Sequence, residues 1–463
     1  MSPFGKRSSA ATEILSVNER QRHLVHESEA APQLSAESMG DHIDEIKMRI
    51  FSTLLDAVDL AALNRLPRQV AEEEIGDVVG EILNEMDAPL SSVEREQLAK
   101  DVVHDTMGLG PLETLLDDDE ITDILVNSPD KVFIEKHGQL QLTEIHFRDT
   151  AQLMNICIRI AMAVGRRVDE ASPICDARLA DGSRVNIIIP PLSIDAPMLT
   201  IRKFRKASIT MDDLINFTSI TERAAAFLKI AVGARANILI SGGTGSGKTT
   251  LLNALSAEIN EKERIITVED TAELRLQQPH VGRLETRPAN MEGKGIVTQR
   301  DLVKNCLRMR PDRIIVGEVR GGEAFDMLQA MNTGHEGSMS TVHANTPTDS
   351  LTRLEDMVAL TGFQLPSRNV QMQIASALDL IVQIERLQDG RRVIVNITDV
   401  VGFHDQDVTL SDIFVFRNDG VDDEGRVLGE LVVTGAYPQV LKKAAKYGRR
   451  AEMLETLGLD PNT

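Results

Sequence analysis

Residues Gly242-Gly-Thr-Gly-Ser-Gly-Lys-Thr249 carry the strongest chemical signal in the chain. Glycine at that density lets successive backbone N–H groups turn inward around an anion, and the Gly-x-x-x-x-Gly-Lys-Thr spacing is that of a phosphate-binding loop. In such a loop Lys248 sets a point charge on the β- and γ-phosphates, and the Thr249 hydroxyl is a ligand for Mg²⁺. The helix that follows adds the positive end of its dipole. Gly242, Gly243, Thr244, Gly245, Ser246, Gly247, Lys248, Thr249 and Thr250 are the expected nucleotide contacts, with ATP and Mg²⁺ as the expected ligands.

A phosphate loop also needs a carboxylate to order the metal or the attacking water. Two acids follow apolar runs downstream: Glu269 after Ile265-Ile-Thr-Val268, with Asp270 beside it, and Glu318 after Ile314-Ile-Val-Gly317. Open α/β sheets place their ligands at the carboxyl ends of strands, so both are catalytic candidates. His335 and His343 fall in Thr333-Gly-His-Glu-Gly-Ser-Met-Ser-Thr-Val-His-Ala-Asn345. Their spacing does not suit a zinc pair four residues apart. A loop holding His335, followed by a strand, is the natural reading, and metal binding by the pair is not expected.

Those residues require a sheet. From residue 211 onward apolar strands and helices alternate: Ser219-x-x-Glu222 reads as a capping box before a helix over 224–232. A strand at 236–240, the glycine loop, a helix over 248–259 and a strand at 264–268 follow. Helices over 302–309 and 324–331 and strands at 313–316 and 338–342 continue the series. Such alternation demands a mostly parallel sheet covered by helices. A hairpin turning at Asp389-Gly390 and a last helix over 438–457 complete it. Upstream, strands at 121–126, 131–134 and 140–142, a helix over 151–164, a hairpin at Asp181-Gly182 and a strand at 198–204 predict another α/β domain. Apolar residues at helical spacing predict a three-helix module over 41–107, and residues 1–40 read as a disordered tail. The expected divisions are therefore 1–40, 41–107, 108–208, 209–440 and 441–463.

Composition narrows the function. At 463 residues the chain exceeds one compact core, and 3% aromatic content without Trp leaves aliphatic residues and Met to fill it. A net charge of −21 and few aromatic platforms speak against nucleic acid as the main partner. Cys157, Cys175 and Cys306 are too few and too scattered for an all-cysteine zinc site and read as buried thiols. The first 30 residues hold no apolar core of a signal peptide. No uninterrupted apolar run reaches the ~18 residues of a membrane span, so direct membrane insertion is not expected.

Four blocks in this order resemble the type II/type IV secretion and pilus ATPases: 242–249 as Walker A, Thr267-Val-Glu-Asp-Thr-Ala-Glu273 as the Asp box, Arg310-Pro-Asp-Arg-Ile-Ile-Val-Gly-Glu-Val-Arg320 as Walker B, and 333–345 as the His box. Gly108-Leu-Gly-Pro-Leu-Glu113, residues 121–127, Ala177-Arg-Leu-Ala-Asp-Gly-Ser-Arg-Val-Asn186 and Thr200-Ile-Arg-Lys-Phe204 are similar to the tight-adherence (Tad) pilus branch. The resemblance covers about residues 41–440. It implies an α/β fold: a RecA-like P-loop ATPase core, an N-terminal α/β (PAS-like) domain and a preceding three-helix module.

Residue by residue, the resemblance makes Glu269 the acid that positions water and Glu318 the acid near the metal, without settling which is the base. His335 and His343 would sense the γ-phosphate or a neighbouring subunit. Arg184 and Arg202 resemble arginines that the N-terminal domain swings onto the nucleotide, and Arg320 is a further candidate. The family also implies a homohexamer in the cytoplasm, held peripherally at the inner membrane by pilus platform proteins. The expected work is assembly of a Tad-type pilus, with retraction left open. A type IV secretion or conjugation ATPase is the alternative, followed by a RecA-like DNA motor and a non-hydrolysing scaffold. The chain lacks the paired-CxxC zinc module of many type II motors, and Gly317-Glu318 stands where many ATPases have Asp-Glu.

Overall fold

The computed structural model describes residues 46–47, 49–50, 53–54, 68–86, 90–136, 138–179, 181–204, 209–287, 294–363 and 365–460. The expected tail over 1–40 and most of the first expected helix lie outside the described residues. Two compact units divide between Lys203 and Phe204.

In the first unit helices Arg68–Glu85 and Ser92–Met107 share a core of Ile75, Val79, Leu83, Leu98 and Val102 with Ile46, Ile50 and Leu54. Ser91 opens the second helix with a complete capping box: its hydroxyl accepts from the Glu94 N–H, and the Glu94 carboxylate accepts from the Ser91 N–H. Next comes a fully antiparallel sheet of β1 (Ile121–Ser128), β2 (Lys131–Lys136), β3 (Gln139–Leu142), β4 (Ile174–Arg178), β5 (Arg184–Ile188) and β6 (Met198–Arg202), in the order β3-β2-β1-β6-β5-β4. Side chains alternate between its faces. Ile124, Val126, Val185, Ile187, Leu199 and Ile201 join the core with Leu153, Ile156, Cys157 and Ile160 of helix Thr150–Ala163. The opposite face carries the charged residues.

The second unit is built on nine strands: β7 (Ile238–Gly242), β8 (Ile265–Glu269), β9 (Val281–Glu285), β10 (Arg313–Val319), β11 (Met339–Val342), β12 (Leu380–Arg386), β13 (Arg392–His404), β14 (Asp407–Val421) and β15 (Val427–Val433). Their order is β15-β14-β13-β12-β7-β11-β10-β8-β9. The run from β12 to β9 is parallel, and β12 to β15 pair antiparallel. Every residue of β7, β8 and β11 is buried, as parallel strands covered on both faces must be. Helices Glu222–Gly233 and Lys248–Ser256 cover one face; helices Gln299–Cys306, Glu323–Asn332, Pro347–Ala359 and Ser367–Ala377 cover the other.

Three local expectations are corrected. Helix Glu222–Gly233 is capped by Thr221, whose hydroxyl accepts from the Ala224 N–H, and not by Ser219. The Ser219 carbonyl is already engaged by the Ile394 N–H of β13, which holds Ser219 in the sheet's surroundings. The helix expected over 438–457 is two helices, Leu441–Lys446 and Arg450–Leu457, because Gly448 adopts a left-handed φ of 73° between them. The strands β14 and β15 and helices Pro347–Ala359 and Ser367–Ala377 had no counterpart in the sequence reading.

Candidate active site

β7 delivers the glycine loop. A Cβ on Gly242 would strike the Ile384 carbonyl of β12 and the Ser246 hydroxyl, so only glycine fits where the two strands meet. Gly245 and Gly247 take φ of 68° and 99°, a region closed to most side chains. Two of the loop's carbonyls are engaged from within: Lys248 Nζ donates to Gly242 O at 3.0 Å and Gly243 O at 2.9 Å, and Ser246 Oγ donates to Gly243 O at 2.9 Å. Gly247 stands at the N-cap of helix Lys248–Ser256 with no side chain to cap it, so the helix's first amides are left to an anion. Thr249 and Thr250 occupy the half-buried first turn, while Thr244 is exposed.

Two acids stand on the same edge. β8 ends on Glu269, which is buried; its Oε2 accepts the N–H groups of Glu273 at 2.6 Å and Leu274 at 2.7 Å. Its Oε1 is buried with no hydrogen-bond partner among the described residues. Burial lifts the Glu269 carboxyl above the usual carboxylate range, against the lowering pull of the two N–H groups. On the adjacent β10, Gly317 lies against Glu269, where a Cβ would come within 3.0 Å of Glu269 Cγ. That contact explains why glycine precedes Glu318: the space of a second acid is filled by the side chain of β8. Glu318 is partly exposed and pairs with Arg320, whose Nη2 donates to Glu318 Oε2 at 2.6 Å. Arg320 Nη1 lies 3.8 Å from Asp270, and this acidic company, Glu318 foremost, raises the guanidinium pKa further.

The histidines separate. β11 runs parallel to β7 with Val342 opposite Ser241, which puts His343 at the loop's edge of the sheet. Gln383 of β12 steadies the chain just beyond it, donating to the carbonyls of Ala344 at 3.2 Å and Asn345 at 3.0 Å. His335 precedes β11 and therefore lies at the opposite edge, where its Nδ1 sits 3.3 Å from Ala330 O. The four residues of β11, about 13 Å of strand, stand between the histidines. Within this chain the structure brings His343, and not His335, to the glycine loop's edge of the sheet.

Residues 105–426 match the family of type II/IV secretion system proteins. A Mycobacterium tuberculosis protein described as a conjugal transfer protein is 39% identical over 332 residues, 70% of this chain and 93% of its own length. The type IV secretion system protein VirB11 of Bartonella henselae is 34% identical over 325 residues, 62% of this chain and 90% of its own. Among solved structures, the VirB11 ATPase of the Brucella suis type IV secretion system, in complex with sulphate, is 30% identical across 62% of this chain and 94% of that one, with a TM-score of 0.34. The chain belongs to the type II/IV secretion ATPase family.

ATP hydrolysis is the activity of this secretion ATPase, on a RecA-like α/β core. Arg184 and Arg202 stand directly opposite each other on β5 and β6, with Arg178 opposite Arg184 and Asp123 opposite Arg202. This row crosses the sheet face away from the apolar core; Arg202 Nε lies 3.8 Å from Asp123. All three cysteines are buried, and burial pushes the thiols of Cys157 and Cys306 up to about 12 and about 11, far from reactivity. Sequence reasoning missed Gln383 and Arg392, whose Nε donates to Gly245 O at 2.8 Å. Neither lies in a recognisable motif; Gln383 stands opposite Ser241 because β12 pairs with β7, and Arg392 reaches the loop from β13, the other arm of the hairpin.

Proposed function

We propose that this secretion ATPase is a Mg²⁺-dependent hexameric motor serving a type IV secretion or conjugal-transfer system. The observation that carries hydrolysis is the shared edge of β7, β8, β10 and β11, which gathers Lys248, Glu269, Glu318 and His343. Lys248 and the loop amides bind the β- and γ-phosphates. Thr249 and Glu318 supply hard oxygen ligands, the donor set Mg²⁺ takes when phosphates and water complete its shell. Bound Mg²⁺ would neutralise charge on the phosphates.

Glu269 is assigned as the base. Burial raises its pKa and so makes it a better proton acceptor than an ordinary solvated glutamate, and its unpartnered Oε1 keeps capacity for a water proton. Glu318, held by Arg320, serves the metal. His343 senses the γ-phosphate, and Arg184 and Arg202 remain the charge donors of the first unit. Among the described residues no helix is long and apolar enough to cross a membrane. Membership of the secretion family supports work at the cytoplasmic face of the inner membrane through protein partners.

The relatives' descriptions support secretion or conjugation over pilus assembly. A Tad pilus motor is the second reading, favoured by the helical pair Arg68–Glu85 and Ser92–Met107, which lies almost wholly ahead of the family match. Glu318→Gln should abolish turnover in a phosphate-release assay while ATP still binds; unchanged turnover would overturn the motor reading. Light scattering with nucleotide should show a hexamer. Co-purified membrane components of a secretion channel, as against a pilin platform, decide between the two systems.

A further inference from the structure

Arg392 lies outside all four sequence blocks, at the start of β13, yet it touches the phosphate loop twice. Its Nε donates to Gly245 O at 2.8 Å, and its Cδ would stand 3.4 Å from a Cβ on Gly247. Lys248 and Ser246 hold the carbonyls of Gly242 and Gly243 from inside the loop, and Arg392 holds the Gly245 carbonyl from the neighbouring hairpin. Holding the Gly245 carbonyl from outside fixes the plane of the Gly245–Ser246 peptide, and with it the shape of the loop whose amides receive an anion.

The hairpin that carries Arg392 is itself pinned. Asp389 at its turn accepts from Arg391 Nε at 2.8 Å and from the Val427 N–H at 2.9 Å, and Arg391 also donates to the Val427 carbonyl. The turn is thereby fastened to β15, a rigid mount of the kind a preorganised site needs. A second observation points the same way. Arg386 of β12 is directly opposite Arg392 in the antiparallel register. That register brings a second guanidinium to the strand position beside the residue that holds the loop.

We propose that Arg392 is a positioning residue for nucleotide binding, presetting the anion-binding shape of the loop through the Gly245 carbonyl, with Arg386 adding positive charge beside it. This rests on the reading of 242–249 as the ATP site. The role is in forming the binding shape and not in bond cleavage, so it acts on affinity and KM. Calorimetry with ADP and with a non-hydrolysable ATP analogue, together with steady-state kinetics on the full chain, provides the test. Arg392→Ala and Arg392→Gln should each weaken nucleotide binding and raise KM about tenfold, with kcat within about twofold. Arg392→Lys, which keeps a charged donor, should recover affinity to within about threefold of the parent. Unchanged affinity and KM in both the Ala and Gln variants, with binding abolished in Lys248→Ala, would overturn the role of Arg392 alone. A fall in kcat at unchanged KM would also overturn it. Unimpaired binding in Lys248→Ala would instead overturn the reading of the loop, and this inference with it.

Discussion

At the amino-terminal edge of the nine-stranded sheet Arg313 is 0% exposed, yet each of its three guanidinium nitrogens has a partner. Its Nε and Nη2 donate to both oxygens of Glu263, and its remaining donors reach Val232 O at 2.9 Å and Gly337 O at 3.3 Å. Asn237 nearby donates to Ala377 O and accepts from the Gly337 and Ser338 N–H groups. At the carboxyl edge, Glu269 is almost as buried but keeps one oxygen unpartnered, and Lys248 rests on loop carbonyls. Both edges remove charge from water. The first meets each polar atom with protein and so holds strands together; the second leaves capacity for a ligand. Burial of charge alone does not mark a site. Unmet hydrogen-bonding capacity beside a glycine loop does.

The sharpest test of that contrast is Lys248→Ala, which should lower ATP turnover by roughly 10²–10³-fold while leaving thermal stability near the parent value. At the other edge Arg313→Met should do the converse. It leaves Glu263 with Arg235 as its remaining guanidinium, at 2.9 Å, and should lower unfolding free energy by about 3 kcal/mol in urea titrations with KM for ATP unchanged. Loss of activity at unchanged stability in that variant would break the comparison.

Asp399 extends it to pH. Its carboxylate accepts from the Gln439 and Val440 N–H groups ahead of helix Leu441–Lys446, and burial pushes its pKa from 3.8 to about 6. The folded state thus binds the proton more tightly than the unfolded chain. The stability this proton confers is complete below pH 3.8 and is lost as pH rises toward about 6. Asp399→Asn should remove this slope, a difference of roughly 3 kcal/mol across the window when both proteins are unfolded in parallel. The smallest expected effect separates the histidines. His343→Ala should cut turnover about tenfold, whereas His335→Ala should stay within about twofold of the parent. Equal losses in both would show that the amino-terminal edge also meets nucleotide.

Much of this was legible beforehand because it is written locally. The alternation of apolar strands with helices, the two left-handed glycines of the loop and the acids ending β8 and β10 are all short-range patterns. The capping error at Ser219 arose because a sequence cannot show that its carbonyl is already engaged by β13. The helix over 438–457 was read as one because Gly448 breaks it through a backbone angle that composition does not reveal. β14 and β15 went unseen because the exposed runs Arg417-Asn-Asp419 in one and Leu428-Gly-Glu430 in the other interrupt the alternation on which a strand reading depends.

By itself the sequence determined that the chain binds nucleotide on an α/β core, since a phosphate loop is a local device whose glycines and lysine need only each other. Tertiary structure alone decided which edge each candidate occupies. A strand sends one end to the ligand and the other away, so His343 and His335, eight residues apart, part company across β11. The same geometry brings Glu269 against Gly317, and Arg392 to Gly245 across 147 residues of chain.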